Sequence, residues 1–245
     1  MPENWTVLSP SWGDVRYHRL VHLSSRNFDQ LWMDQKLLFL INREWTNPAL
    51  DRLMALMSSA AFWTLPLVIA GVATLIWGGF KGRTFIFLAL VALALSDGVV
   101  GRALKRSVHR QRPEYTQVGV RMLDLEKPAY TGIFRPPHEK YSHGTGNKQD
   151  GGSFPSNHAS NSAAVAMLAA LIWRRWGWLA LIPGLLVAYS RVYVGSHWPS
   201  DVLAGVFIGF AVAWFVLALA ELIWRRWSVT RWPDIARERP SLLSA

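Results

Sequence analysis

Three short clusters hold nearly every side chain that could bind an anion and act on it. The first is Lys105 followed after six residues by Arg112-Pro113. The second is Pro155-Ser156-Asn157-His158, and the third is Ser190-Arg191, five residues, His197, three residues, Asp201. Lys105, Arg112 and Arg191 supply positive charge. Arginine's planar fork can hold two oxygens at once, whereas lysine acts as a point charge. If a helix starts at the second cluster, Ser156 and the free N–H groups of Asn157 and His158 add neutral donors at a positive dipole end. Two histidines and a carboxylate complete a set suited to phosphoryl chemistry, in which positioning and charge stabilisation do most of the catalysis. Singly, each cluster has a plainer reading: Lys105 and Arg112 as helix-end anchors, Ser156 or Asn157 as a cap, His197 as a satisfied interfacial histidine.

The elements that must position these clusters are apolar. The stretch Leu53 to Trp77 carries no charge and is long enough to cross about 30 Å of hydrocarbon. Thr84 to about Gly101 and Val202 to about Trp224 are similar, interrupted near one end by Asp97 and Glu221. The shorter runs Ala159–Trp173 and Gly177–Tyr189 read as an antiparallel pair joined by a tight turn at Arg174-Arg175-Trp176. Pro66 and Pro183 fall inside helices, which a membrane bundle tolerates. Before the first span, Phe28, Leu31, Trp32, Leu38 and Phe39 recur at helical spacing among Asp29, Asp34 and Lys36. That pattern predicts an amphipathic helix on the membrane surface, with a sixth span as the alternative.

The expected fold is therefore all-α: a polytopic membrane helix bundle with about five transmembrane helices (53–77, 84–101, 159–173, 177–189 and 202–224) plus an N-terminal amphipathic interfacial helix. Residues 1–50 form the tail and interfacial helix, 51–227 the membrane domain and 228–245 a cytoplasmic C-terminal tail. Five spans put Lys81–Arg83, Arg174-Arg175 and Arg225-Arg226 on one side, which the positive-inside rule makes cytoplasmic. The hexapeptide Leu-Ile-Trp-Arg-Arg-Trp occurs at 171–176 and again at 222–227, in each case where a helix would leave the bilayer. All three chemical clusters then share the opposite face, although the long 114–154 loop on that face is itself basic.

Composition narrows the function classes. The 245 residues are half hydrophobic, include 14 tryptophans and carry a formal charge of +10. There is no cysteine, which excludes disulfides, thiolate zinc sites and cysteine nucleophiles. The first 27 residues contain charges and no apolar run, unlike a cleaved signal peptide. The positive charge abuts apolar helices without a nucleic-acid-binding motif, so phosphate or anionic lipid is the expected partner and nucleic acid is not. His109, His138, Glu139 and His143 lack a recognised metal spacing, and Gly144–Lys148 lacks the spacing of a phosphate loop. No metal, cofactor or obligatory protein partner is expected.

The ordered set Lys-x6-Arg-Pro, Pro-Ser-Asn-His and Ser-Arg-x5-His-x3-Asp resembles the signature of the type 2 phosphatidic acid phosphatase superfamily. That superfamily also includes vanadate-dependent haloperoxidases and glucose-6-phosphatase. One position departs: Asn157 stands where the family has glycine, preserving the N–H but adding a side chain that could crowd the pocket. The resemblance covers about Leu53 to Trp224. It implies His197 as nucleophile forming a phosphohistidine, Asp201 as its orienting partner and His158 as general acid and then base. It also implies phosphate binding by Lys105, Arg112, Ser156, Asn157 and Arg191. The activity so implied is that of a lipid phosphatase on undecaprenyl diphosphate, phosphatidylglycerophosphate, phosphatidic acid or lipid A. The expected setting is a bacterial inner membrane, with the site on its outer face. A lipid phosphotransferase would use the same residues. A haloperoxidase fits less well because its relatives are soluble, and a non-enzymatic lipid-binding protein would be indifferent to loss of His158.

Overall fold

In the computed structural model, residues 32–125, 135–144 and 152–243 are described. The N-terminal 31 residues, with Phe28, Asp29 and Leu31, lie outside that set, as do Lys127 and most of Gly144–Lys148.

Helix α1 (32–39) runs into a π-helical turn at Leu40–Glu44. Asp34 and Leu38 are buried, while Trp32, Met33 and Leu37 are exposed. Asn42, on the turn that follows, is fully buried. Its amide donates to the carbonyls of Arg121 (2.8 Å) and Tyr193 (2.7 Å) and accepts from Arg121 N (2.8 Å).

Helix α2 (Pro48–Ser58) starts at Asn47, whose side chain accepts from Leu50 N, with Pro48 at the first position. The uncharged run 53–77 is not one helix. It breaks at Ser59, an extended residue whose hydroxyl caps α3 (Ala60–Trp77). α3 buries no residue among its 18, so it lies at the bundle's edge, and at 1.5 Å per residue it is about 27 Å long. The next expected span is longer than 84–101. α4 (Gly79–Leu93) continues through a π-helical stretch, Ala94–Gly101, into α5 (Arg102–Val108). His109 ends it in the left-handed conformation (φ 49°).

Beyond α6 (Pro113–Thr116), the all-α expectation meets an addition. β1 (Val118–Asp124) and β2 (His138–His143) form an antiparallel ribbon with Arg121 opposite Tyr141. β2 reads His-Glu-Lys-Tyr-Ser-His and has no apolar alternation to announce a strand.

The centre of the bundle is α7 (Asn157–Ile172), packed on α4, α9 and α8. A short 3-10 turn (Gly177–Ala180) leads into α8 (Leu181–Tyr193), which packs back against α7. α9 (Pro199–Arg231), 33 residues, is followed by α10 (Pro233–Glu238). α7 and α9 approach closely because their shared seam is made of small residues. A Cβ on Gly209 would come within 2.2 Å of the Ser160 carbonyl, and one on Gly205 within 2.7 Å of the Ser156 carbonyl.

Among the described residues, three helical stretches are long and apolar enough to cross a membrane: Ala60–Trp77, Gly79–Thr116 and Pro199–Arg231. α7 and the Gly177–Tyr193 stretch are shorter, and the count of five spans rests on including them. Leu67, Phe87, Leu90, Phe207 and Trp214 are exposed on the outside of the bundle, a surface suited to lipid. The core has two principal parts. Leu88, Ala92, Ala164, Leu168, Ala213 and Val216 fill the end away from the motifs. Leu38, Val120, Ala159, Ala188, Val192 and Trp198 pack directly beneath them.

Candidate active site

The three clusters come together because α5 ends, α7 begins, α8 ends and α9 begins at the same end of the bundle. Ser156 caps α7, and its own N–H donates to the Asp201 carbonyl (3.1 Å), stitching the start of α7 to that of α9. His158, in the first turn of α7, sits in the combined field of Arg191, His197, Arg112 and Lys105. That single neighbourhood contains a member of every cluster. Lys105 in turn lies within electrostatic reach of Arg112 and Asp97. Arg112 precedes α6 and is loosely paired with Glu114 at 3.5 Å.

Arg191 is buried near the end of α8. Its Nη1 donates to the carbonyl (3.2 Å) and hydroxyl of Ser58, where α2 ends. Its Nε is buried and, among the described residues, has no acceptor. A buried guanidinium with a free donor is ready to take an anionic oxygen.

His197 lies in the turn between α8 and α9, only 2% exposed. Its Nδ1 is 2.9 Å from the Ser153 carbonyl, 3.4 Å from the Ser153 hydroxyl and 3.9 Å from Asp201 Oδ2. A carbonyl can only accept, so Nδ1 carries the proton and Nε2 keeps its lone pair. The sequence expectation gave that orienting role to Asp201. In the structure the Ser153 backbone makes the direct contact and Asp201 stands behind it. Burial pushes the imidazole pKa down to about 4. The Asp201 carboxylate opposes this, while Arg191 and Arg112 add to it. His197 is therefore neutral, and nucleophilic, at ordinary pH.

Asp201 is fully buried and fully engaged. Oδ2 accepts from the Ser153 hydroxyl and from Trp198 N (3.2 Å), and Oδ1 accepts from Arg110 Nη1 (2.7 Å). Ser153 N donates to the Arg110 carbonyl (2.6 Å), so Ser153 joins all three clusters. Sequence reasoning missed Ser153 and Arg110. The only signals were their places, two residues before Pro155 and two before Arg112.

Asn157, at the position where the family signature has glycine, commits its side-chain amide to a carboxylate on the neighbouring helix. Its Nδ2 donates to Asp97 in the π-helical stretch, and its Oδ1 is buried without a partner among the described residues. Gly101 makes the room, since a Cβ there would lie 3.0 Å from that oxygen. Asp97 thus pairs across the bundle with the start of α7. π-helical turns often occur at functional sites, and this one brings a carboxylate to the start of α7.

The model of the PAP2 superfamily matches residues 85–225. The chain belongs to the PAP2 superfamily. Among its relatives is the undecaprenyl-diphosphatase of Sulfolobus acidocaldarius, 48% identical over 137 residues, which are 52% of this chain and 60% of that one. A lipid A 1-phosphatase of Rhizobium johnstonii is 38% identical over 125 residues, covering 51% of this chain and 42% of its own. The match thus spans less than two thirds of either relative. The crystal structure of a transmembrane PAP2-type phosphatidylglycerolphosphate phosphatase from Bacillus subtilis superposes with a TM-score of 0.53. It is 19% identical and covers 78% of this chain and 86% of its own, a likeness of fold. With that fold and three apolar helices of spanning length, this PAP2 protein is an integral membrane protein.

Proposed function

We propose that this PAP2 protein is a lipid phosphatase that cleaves a phosphomonoester or diphosphate through a phosphohistidine on His197. One observation carries the reading: a buried neutral imidazole, its Nδ1 tied to the Ser153 carbonyl, lies within electrostatic reach of Arg191, Arg112 and His158, and His158 in turn of Lys105. The Nε2 lone pair attacks phosphorus as the bond to the leaving oxygen breaks. Burial and the neighbouring cations hold the His158 pKa down, so His158 takes up its proton with the anionic substrate, whose charge offsets those cations, and delivers it to that oxygen. Neutral His158 then takes a proton from water. The hydroxide so formed displaces Nε2, whose electron pair returns to the ring. Between the steps the phosphorylated ring keeps its Nδ1 proton and is formally cationic. The Asp201 carboxylate, 3.9 Å away, stabilises that charge. Lys105, Arg112 and Arg191 hold the equatorial oxygens, with Ser156 and the amides of Asn157 and His158 at the start of α7.

A lipid substrate suits a pocket at the end of a membrane bundle, where the tail stays in the bilayer and the phosphate reaches the cations. Undecaprenyl diphosphate is the first candidate, supported by the relative of that name, ahead of phosphatidylglycerophosphate, phosphatidic acid and lipid A. The far end of the bundle supports an outward-facing site. Phe80 meets Trp224 (5.4 Å) and Phe85 meets Trp173 (4.8 Å), gathering the three short basic clusters there, as expected for a cytoplasmic side.

The test is phosphate release by the detergent-solubilised protein across those four lipids, with no acceptor lipid added. His197→Ala should abolish release and His158→Ala should reduce it by at least about a hundredfold. Activity of His197→Ala within twofold of the parent would exclude the covalent route.

A further inference from the structure

The N-terminal helix reaches into the catalytic apparatus through a chain of charges, two buried carboxylates joined by a partly exposed arginine. Asp34 on α1 is 6% exposed, and both its oxygens are taken by the start of α9 and by the loop after α5. Oδ1 accepts from Ser200 N (2.9 Å). Oδ2 accepts from Arg110 Nη2 and from the Ser200 hydroxyl. The same guanidinium reaches Asp201 Oδ1 (2.7 Å) and the Ser200 hydroxyl (2.6 Å) through Nη1. The Trp198 ring lies 5.1 Å from the guanidinium, and its indole N–H is held by the Gln111 carbonyl (2.9 Å). Asp201 then meets Ser153, whose carbonyl holds His197.

We propose that Asp34 is a positioning residue for the reaction: by clamping Arg110 it places the Asp201 carboxylate behind His197. This rests on the phosphohistidine reading above. A helix needed only as an anchor could dock by apolar contacts alone, as Leu38 does in the core beneath the site. Burying an aspartate against an arginine costs desolvation that apolar residues would avoid. Here the arginine's second arm ends on the one carboxylate next to the nucleophile. The triad Asp34, Arg110 and Asp201 sums to one negative charge beside an imidazole that becomes cationic when phosphorylated. The other charged or titratable groups around His197 are Arg191 at the end of α8, Arg112 before α6 and His158 on α7. Lys105 on α5 faces the same cluster.

The charge count gives opposite signs for two substitutions. Asp34→Asn removes a negative charge, so a protonated His197 is less favoured and the acid limb of kcat/KM moves to lower pH. Arg110→Gln removes the compensating positive charge and moves that limb to higher pH. Each shift should be roughly half to one pH unit for charges about 10 Å apart. Both variants should lower kcat by about tenfold or more while leaving KM within about threefold, because the pair does not touch the substrate. Asp34→Glu, which keeps the charge, should recover part of kcat and leave the limb in place. The Asp34→Asn/Arg110→Gln double variant should lose less than the two singles combined.

The assay uses whichever of the four lipids the parent protein hydrolyses fastest, over a pH series, with thermal unfolding in the same detergent. A helix that merely docks would show lower unfolding temperatures with an unmoved limb and additive losses, and that result overturns the proposal. So do limbs that move in the same direction. If Asp34→Asn does not fold, Arg110→Gln and Asp34→Glu decide, and an Arg110→Gln limb that fails to rise is fatal. A parent protein that releases no phosphate, or a His197→Ala variant that matches it, sinks the phosphohistidine reading instead.

Discussion

At His197 the protein secures a nucleophile with a backbone carbonyl, an acceptor that no side-chain substitution removes. Ser153 plays two parts that can be separated. Its carbonyl fixes the tautomer, and its hydroxyl donates to Asp201. Ser153→Ala should keep the first and lose the second, a charge-assisted bond of about 1.5–3 kcal/mol. We expect kcat to fall roughly ten- to a hundredfold, well short of the loss in His197→Ala, in a side-by-side phosphate-release assay. Asn157 makes a different prediction. Its side chain is occupied with Asp97, while its N–H stays at the start of α7. Asn157→Gly should leave kcat within about fivefold while lowering thermal stability by about 1 kcal/mol or more, from one lost hydrogen bond and a glycine in the first turn of a helix. A hundredfold loss of kcat would mean that the side chain itself contacts substrate. Sequence reading recognised eight of the residues gathered here, because their spacing is a strong signature. It missed Ser153, Arg110 and Asp34 because their roles come from hydrogen bonds between distant segments.

Among the elements, the α7–α9 seam sets the precision of the site, since His158 rides on one helix and Asp201 on the other. Gly205 and Gly209 let the helices approach backbone to backbone. A larger residue at Gly209 meets the Ser160 carbonyl, which cannot swing aside, so the helices must part. Gly209→Val should lower the unfolding free energy in detergent by about 1–3 kcal/mol or more. It should also reduce kcat although it lies two turns from Asp201, measured as the unfolding temperature beside phosphate release. Gly71 is the control, because a Cβ there meets nothing within 4 Å. Helix existence was readable from apolar run length, but two boundaries were not. The run 53–77 hides a break at Ser59, for which hydrophobicity carries no signal, and the π-helical stretch after Leu93 extends its helix past a charged residue. The ribbon β1–β2 escaped because its second strand is polar and its first is recognisable only by what it packs against.

For the molecule as a whole, the two ends of the bundle have opposite chemistry. One end gathers tryptophans and arginines around Phe80, Trp173 and Trp224, and the other gathers the three signature clusters over the core that Leu38 of α1 joins. Orientation can be tested directly because the chain contains no cysteine. In sealed right-side-out vesicles, a cysteine replacing His143 on the ribbon should react with a membrane-impermeant maleimide. One replacing Arg231 at the end of α9 should react only after permeabilisation. The reverse pattern would put the site on the cytoplasmic face.

The sequence by itself determined that this is an apolar helical bundle carrying the PAP2 signature, since both follow from local composition and from spacing along the chain. Only the tertiary structure decided which atom holds His197, where the Asn157 side chain goes and why Asp34 is buried. Each of those depends on a partner 40 or more residues away in the chain. In a low-dielectric interior a buried charge is stable only where such partners converge, and periodicity along one segment cannot reveal them.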